Sequence, residues 1–321
     1  MTAAGSNNPV LGVDIGGTKV AVGLVDRSGG ILAQIRKPMI ANGTPDAGLQ
    51  AVIGAIDALA ASSGTAFHSI GVCAPGPLDP KTGIVLNPPN LPCWRDFPLA
   101  EKLSEKYRQP VKVDNDANAA ALAETLWGAA KGYRYVFYAT LGTGIGTGIV
   151  LDGRIYHGNT GSAGEGGHLS IDYQGPVCHC GKRGCIEILA SGPAIGARAR
   201  AKVTAEPARA EAILELANGI AASVTSEHVG KASASGDALA RQILEETAHL
   251  LTIWLGNIID VLDPDIVVMG GGVAAMLQPF FAEIKQSLPK WCLNPFASRI
   301  PLVLAHYGAD AGIAGGAALC S

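Results

Sequence analysis

The sequence has few charged residues and no run of basic ones. Lysine, arginine, aspartate and glutamate together make up 16% of the chain, and the formal net charge is −3. Because a nucleic-acid-binding surface needs clustered lysine and arginine to neutralise phosphates, the sequence disfavours that class of protein. Hydrophobic residues make up 48%, which predicts a sizeable core and argues against disorder.

The sequence also lacks the features of an exported or membrane-spanning protein. Its N-terminus, MTAAGSNNP, has no basic region followed by an apolar stretch. The uncharged run 135–151 is interrupted by glycine and threonine and is too short for a comfortable span. The seven cysteines are unevenly spaced with three clustered, which favours a metal site in a reducing compartment over a disulfide framework. We therefore expect a cytoplasmic protein that contacts no membrane.

Glycine is unusually abundant, and its placement predicts tight turns. The 42 glycines show no three-residue period, which excludes collagen. Neither GxxxxGK[ST] nor a GxGxxG spacing in 142–148 occurs, which disfavours a P-loop NTPase and a dinucleotide site. The turns 14–19 and 142–148 each separate two apolar runs and can offer backbone N–H groups and a threonine hydroxyl to phosphate. Plain hairpins are the alternative for both.

The hydrophobic pattern alternates between strand and helix along the chain. Two strands within 10–25 and a third at 31–36 predict an opening β-meander rather than a Rossmann unit. Helical spacing predicts helices at 46–62, 99–107, 119–127, 191–217, 237–262, 280–288 and 309–319. The strand, glycine turn and strand near Asp14 recur near Thr143, which suggests a duplicated α/β fold with a cleft between two lobes.

The segment Asp114-Asn115-Asp116 lies where a predicted strand leads into a helix, a usual place for a site in an α/β protein. A carboxylate there can accept the proton of a sugar hydroxyl as that hydroxyl attacks phosphorus. The alternative is that Asn115 or Asp116 caps the following helix. The two interpretations can hold for different residues of the segment.

The segment 161–187 combines a metal-binding pattern with two spare carboxylates. Three thiols and an imidazole at close spacing can form a tetrahedral zinc site, from His168, Cys178, Cys180 and Cys185. His179 is a rival ligand, but it alternates in direction with its cysteine neighbours and is expected to be exposed. Glu165 and Glu187 are then free to hold the hydroxyls of a polar ligand. Three unligated thiols are the alternative for the cluster.

Taken together, these motifs resemble those of the ROK family of sugar kinases and repressors, over nearly the whole chain. The resemblance is carried by Asp14-Ile-Gly-Gly-Thr-Lys, Asp114-Asn-Asp-Ala-Asn-Ala-Ala, Leu141-Gly-Thr-Gly-Ile-Gly, and Glu165-Gly-Gly-His168 with Cys178-His-Cys-Gly-Lys-Arg-Gly-Cys185-Ile-Glu187. It implies an α/β, two-lobed actin-like ATPase (ribonuclease H-like) fold with a cleft between the lobes. The smaller lobe would comprise 1–116 plus 306–321, and the larger lobe 117–305 with the zinc loop.

The resemblance also implies transfer of the γ-phosphoryl group of MgATP to the 6-hydroxyl of a hexose, with glucose as the leading substrate. Asp116 would be the catalytic base. The hexose would be held by Asn90, Asn115, Asp116, Glu165, His168 and Glu187. The nucleotide would be bound by Gly17, Thr18, Lys19, Thr143, Gly144 and Gly271, with Asp14 orienting Mg²⁺ through water. Zinc would be structural, and the family suggests a homodimer.

Other substrates, another phosphoryl donor and another functional class within the same family are the alternatives. N-acetylmannosamine, N-acetylglucosamine and fructose are alternative substrates, and the segment Pro88-Pro89-Asn90 is expected to bear on that choice. Polyphosphate is an alternative donor. A sugar-responsive repressor is disfavoured, because only nine residues precede Val10 and the net charge is negative.

Overall fold

The structure is a computed structural model that describes residues 9–321. The predicted absence of a signal peptide concerns residues that lie almost wholly outside this range. Contacts divide the chain into two compact units. The first comprises residues up to 138, 148–164 and 306–321, and the second comprises 139–147 and 165–305.

These units share the predicted lobe boundary at 305/306 but group 117–138 and 148–164 with the first unit. The reason is packing, since the helix that begins at Asp116 lies against the C-terminal helix. The predicted lobe bounds therefore stay a prediction.

The first unit is built on a five-stranded sheet in the order β3-β2-β1-β4-β7. Its strands are β1 (Val10–Ile15), β2 (Lys19–Val25), β3 (Ile31–Pro38), β4 (Ile70–Ala74) and β7 (Val111–Asn115). The predicted meander is confirmed, because β1, β2 and β3 pair antiparallel. The strands β4 and β7 run parallel to β1, so the carboxyl ends of these three strands lie at one edge of the sheet.

Helices cover both faces of this sheet. They are α1 (Pro45–Ser63), α2 (Leu99–Tyr107), α3 (Asp116–Leu126) and the C-terminal α11 (Ala311–Ala318), and a short hairpin adds β5 (Leu78–Asp79) and β6 (Ile84–Val85). The sequence of α11 is AGIAGGAA, and its small residues allow its backbone to touch the sheet. A Cβ at Gly71 of β4 would lie 1.7 Å from the carbonyl oxygen of Gly316, so glycine is required there.

A second five-stranded sheet has the order β10-β9-β8-β11-β12. Its strands are β8 (Tyr135–Leu141), β9 (Ile145–Leu151), β10 (Arg154–Ile155), β11 (Ile266–Gly270) and β12 (Leu302–Leu304). The turn between β8 and β9 is the second glycine turn of the sequence. The boundaries between the units fall within β8 and β9, and β11 and β12 pair in parallel.

The second unit is largely helical. Its helices are α4 (Ile186–Ala190), α5 (Gly192–Ala205), α6 (Glu211–Leu216), α7 (Ser226–Ala234), α8 (Ala238–Leu262), α9 (Gly271–Leu277) and α10 (Phe281–Ser287). The prediction of one helix over 191–217 is wrong, because the chain breaks at Pro207, which has no N–H for the helix ladder. The short helices α7 and α9 were not predicted. No helix among residues 9–321 combines the length and hydrophobicity needed to cross a bilayer.

Candidate active site and metal-binding cluster

The four predicted zinc ligands lie together in the second unit. Ligand atoms of His168, Cys178, Cys180 and Cys185 are all within 4.8 Å of one another. The Sγ of Cys178 is 3.7 Å from Nδ1 of His168, and the Sγ atoms of Cys180 and Cys185 are 3.6 Å apart. A tetrahedral zinc ion with Cys₃His ligands places its ligand atoms roughly 3.5 to 3.8 Å apart, so the cluster has the size and donor set that zinc requires.

Two thiols of the cluster have pKa values shifted in opposite directions. Burial raises the pKa of the Cys185 thiol to about 12, with its cysteine neighbours adding to the effect. A backbone hydrogen bond at Lys182 lowers the pKa of the exposed Cys180 thiol. A bound metal would favour the thiolate at each position and release protons as it binds. His179 is exposed, as expected, and is not part of the cluster.

The cluster positions two of the predicted sugar-binding residues. His168 Nδ1 lies 4.0 Å from Oε1 of Glu187, at the start of α4. The other carboxylate oxygen of Glu187 accepts a hydrogen bond from the backbone N–H of Ile145 at 2.9 Å, which ties α4 to the β8–β9 turn. Glu165 is exposed, and its carbonyl accepts a hydrogen bond from the N–H of His168 at 3.1 Å. Glu187 therefore has a structural role in addition to any contact with a ligand.

In the first unit, acidic side chains gather at the carboxyl ends of the parallel strands. Asp14 of β1, Cys73 of β4 and Asp114 of β7 occupy one row of the sheet. Burial, together with the nearby Asp116 carboxylate, raises the pKa of Asp14 from 3.8 to about 6, whereas Lys19 opposes the shift. A divalent cation bound beside Asp14 would oppose this rise, because its positive charge favours the ionised carboxylate.

The structure assigns separate places to the residues of the 114–116 segment. Asn115 is the cap of α3, and its Oδ1 accepts hydrogen bonds from the N–H groups of Ala117 at 2.9 Å and Asn118 at 3.4 Å. Asp116 is the exposed first residue of α3, and its Oδ1 accepts a bond from Ala117 N at 2.8 Å. The capping interpretation thus holds for Asn115.

The β1–β2 turn meets the loop that contains Asn90. A Cβ at Gly17 would lie 2.7 Å from the carbonyl oxygen of Asn90, so the two backbones are in close contact. Thr18, Lys19 and Asn90 are exposed. The first unit therefore brings together one predicted phosphate turn and one predicted sugar-binding loop.

A cavity of about 900 Å³ lies within the second unit, large enough for a nucleoside. Its wall includes the turn residues Gly142 and Thr143, and it is completed by residues of α5, α7, α9 and the segment before α10, among them Gly196, Ser226, Lys231, Gly272, Met276 and Phe280. The sequence reasoning missed α7 and Phe280. Nothing in the local pattern identifies them, because the chain reaches the cavity from distant segments.

Two of the predicted nucleotide-binding glycines are packed closely against other residues of the second unit. Gly271 has φ 85°, and a Cβ there would lie 2.2 Å from the carbonyl oxygen of Leu141. A Cβ at Gly144 would lie 2.6 Å from Oε2 of Glu187. Gly272, by contrast, lines the cavity, and a Cβ there would have no neighbour within 4 Å. Close contact with the backbone of β8 is thus a sufficient reason for glycine at position 271.

Comparison with known proteins supports the family that the sequence motifs resemble. A family model described as ROK family matches residues 10–321. The chain belongs to the ROK family.

Three proteins similar to this chain span almost the same length. The glucokinase of Streptomyces coelicolor is 35% identical over 96% of this chain and 96% of its own length. The N-acetylmannosamine kinase of Shigella boydii is 33% identical over 96% of this chain and 97% of its own. The crystal structure of a ROK family glucokinase from Streptomyces griseus in complex with glucose and AMPPNP matches with a TM-score of 0.83 and 33% identity, covering 97% and 99% of the two chains.

These matches confirm the predicted fold class. The chain has the α/β, two-lobed actin-like ATPase fold of the ROK sugar kinases. The repeated strand, glycine turn and strand is the part of that fold that the sequence predicted, whereas the two five-stranded sheets are seen only in the structure. The roles of individual residues stay predictions.

One polar contact near the candidate residues was missed altogether. Nε2 of His157 lies 2.6 Å from Oδ2 of the buried Asp114. No recognised motif includes His157, and the two residues are 43 positions apart. Only the folded chain reveals the pair.

Proposed function

We propose that this ROK protein is an ATP-dependent hexose kinase that transfers the γ-phosphoryl group to the 6-hydroxyl of its sugar, with glucose as the preferred substrate. The observation that carries the proposal is the match, over 97% of the chain, to the Streptomyces griseus glucokinase solved with glucose and an ATP analogue. The four sequence motifs are intact in this chain, and their side chains form two ordered groups, one in each unit.

The first unit supplies the general base. Asp116 accepts the proton of the sugar 6-hydroxyl, while Asn115 and Asn90 hold other hydroxyls of the hexose. The exposed position of Asp116 at the start of α3 supports this role, since a base must reach its substrate. Asp14 orients Mg²⁺ through water, which agrees with a carboxyl whose charge is disfavoured without a cation. Gly17, Thr18 and Lys19 face the phosphates.

The second unit supplies the remaining sugar and nucleotide contacts. Glu165, His168 and Glu187 hold sugar hydroxyls from the zinc cluster and its neighbouring helix. Thr143, Gly144 and Gly271 belong to the nucleotide site. The cavity beside Thr143 has room for the base and ribose, which supports this part of the proposal. Magnesium ATP supplies the transferred phosphoryl group, and the protein contributes positioning and charge neutralisation.

Zinc is proposed as a structural ion held by His168, Cys178, Cys180 and Cys185. It supplies no chemistry to the sugar and instead fixes the fold of 161–187. The spacing of the ligand atoms supports this assignment. Because His168 is both a zinc ligand and a proposed sugar contact, the ion also orients a residue that meets the substrate.

The substrate alternatives are N-acetylmannosamine, N-acetylglucosamine and fructose, the first supported by the Shigella boydii relative. Polyphosphate is the alternative donor, and a sugar-responsive repressor is the alternative from another functional class. The further expectations are a homodimer, a cytoplasmic location, and no binding of nucleic acid or membrane.

The first test is a coupled ADP-release assay with MgATP against glucose, mannose, fructose, N-acetylglucosamine and N-acetylmannosamine, repeated with polyphosphate as donor. Turnover fastest on glucose supports the proposal, whereas preference for an acetylated sugar reassigns the substrate. Asp116→Asn should abolish turnover but retain glucose binding measured by calorimetry. Retained turnover in that variant, or no turnover of wild-type protein on any sugar, would contradict the proposed chemistry.

A further inference from the structure

Asp114 is a buried carboxylate at the end of β7. Its side chain is 5% exposed, so it needs partners for its lone pairs and its charge. Oδ1 accepts hydrogen bonds from the backbone N–H of Asn115 at 2.7 Å and from Nδ2 of Asn118 at 3.2 Å. Both donors belong to the segment that starts α3, so the carboxylate is tied directly to the turn that carries Asp116.

The other oxygen of Asp114 is held from a different part of the chain. His157 follows β10, and its Nε2 is 2.6 Å from Oδ2. Since a carboxylate only accepts hydrogen bonds, Nε2 must carry the hydrogen and donate it. Within residues 9–321, His157 is the one basic side chain with a nitrogen within 4.0 Å of this carboxylate. The bond from Ala163 N to His157 O at 3.1 Å closes the following turn and steadies the histidine.

The surroundings favour a charged imidazole. The hydrogen bond to Asp114 raises the pKa of His157, against smaller opposing effects of burial and of Lys81. Lys112 and Arg154 line the same small cavity as Asp114 and His157, and neither is recorded in an ion pair with Asp114. The pair is thus a short, charge-assisted hydrogen bond at a partly buried site, which is geometrically specific.

We propose that His157 is a positioning residue for hexose phosphorylation, which holds Asp114 and through it the Asn115–Asp116 turn that presents the general base. The inference rests on the proposed function, in which Asp116 is that base. Removing the imidazole leaves the carboxylate without its partner on one side. The carboxylate then rotates or recruits water, and the two hydrogen bonds that Oδ1 accepts from the start of α3 weaken.

The kinetic test compares His157→Ala with the conservative His157→Gln, whose side-chain N–H can still donate to the carboxylate. Loss of positioning should lower kcat of His157→Ala by about 10- to 100-fold while the KM for ATP changes by less than about threefold. His157→Gln should recover most of that loss. Tyr156→Ala, a change at the exposed neighbour in the same loop, is the matched control and should keep kcat within about twofold.

A double-mutant cycle locates the effect. Asp114→Asn removes the charged acceptor, and His157→Ala combined with Asp114→Asn should be about as slow as the slower single variant, because both changes break one connection. Multiplicative losses, equal rates of the alanine and glutamine variants, or an alanine variant with wild-type kcat would each overturn the proposal.

A readout independent of turnover separates this proposal from the proposed function. Hydrogen exchange of the backbone amides of 115–118, followed by mass spectrometry on sugar-free protein, should be at least about tenfold faster in His157→Ala and near wild type in His157→Gln and Tyr156→Ala. Unchanged protection in His157→Ala would overturn the positioning role even if the wild type proved inactive on hexoses. Should His157→Ala not fold, His157→Asn replaces it, since its shorter amide cannot span the 2.6 Å contact.

Discussion

Asp14 offers a test of whether an ionised carboxylate of the candidate site lowers the stability of the folded protein. Its carboxyl is half-buried in β1, and its pKa is raised from 3.8 to about 6. The folded state therefore holds the proton more tightly than the unfolded chain. At 1.36 kcal/mol per pKa unit, ionised Asp14 costs the folded state about 3 kcal/mol above pH 6, and this cost disappears as the pH falls to about 4.

Replacement by asparagine keeps the shape and removes the charge. Asp14→Asn should therefore be more stable than wild type at pH 8 by about 2 to 3 kcal/mol and nearly equal to it at pH 4. It should also lose most kinase turnover, because the carboxylate that we propose orients Mg²⁺ is gone. The assay is urea denaturation of both proteins across this pH range, in magnesium-free buffer without chelator, so that a structural zinc ion stays in place.

Asp26 provides a control of opposite sign. The hydroxyl of Ser28 donates a hydrogen bond to Asp26, and this bond lowers its pKa. Asp26→Asn should therefore lose stability at pH 8 and approach wild type as the pH falls through the lowered pKa. If Asp14→Asn changes stability by the same amount at pH 4 and pH 8, the reasoning from burial and from Asp116 is refuted.

Three further predictions follow from packing, the paired histidine and the metal cluster. Gly71→Ala should lower the free energy of unfolding, measured by urea denaturation, by about 3 kcal/mol or more, since its Cβ would lie 1.7 Å from the Gly316 oxygen. Gly54→Ala within α1 is the control: its Cβ would meet nothing within 4 Å, and the free energy of unfolding should rise by roughly 0.5 to 1 kcal/mol. Equal effects of the two changes would contradict the packing. The pKa of His157 is raised above its ordinary value of 6.5, so the stability that the charged imidazole gives the folded protein is complete below pH 6.5 and is lost as the pH rises through the raised value. His157→Gln should therefore be less stable than wild type at pH 6, and the difference should be much smaller at pH 9. A stability difference that does not change with pH would argue against the His157–Asp114 pair. Cys185→Ser should reduce zinc from one ion per chain to well below one by atomic emission and lower the thermal unfolding midpoint, and a full complement of zinc in this variant would contradict the ligand set.

Local patterns in the sequence predicted much of the secondary structure. The helix expected at 99–107 has those bounds in the structure, because its apolar spacing and its flanking proline are local signals. The turn 16–19 joins β1 and β2 as expected, since two glycines between apolar runs permit a tight reversal. The metal cluster was also predictable, because all four ligands lie within 18 residues, from 168 to 185.

Contacts between distant segments were not predictable in the same way. The cavity beside Thr143 is completed by α7 and α9, and both helices are short segments rich in serine or glycine that carry weak helical signals. Pro207 ended a helix that the apolar spacing alone extended to 217. Tertiary packing therefore decided where α7 and α9 lie. Pro207, by contrast, is a local signal that the apolar spacing did not take into account.

By itself the sequence determined the family, the fold class and the identity of the chemical groups, because these are written in short motifs and in the periodicity of apolar residues. Only the tertiary structure decided how those groups are supported. The parallel pairing of β1, β4 and β7 sets Asp14 and Asp114 in one row, and the fold brings His157 to within 2.6 Å of Asp114. Partners so far apart in sequence are selected by the topology of the sheet and by the need to satisfy a buried charge, and neither leaves a local signature.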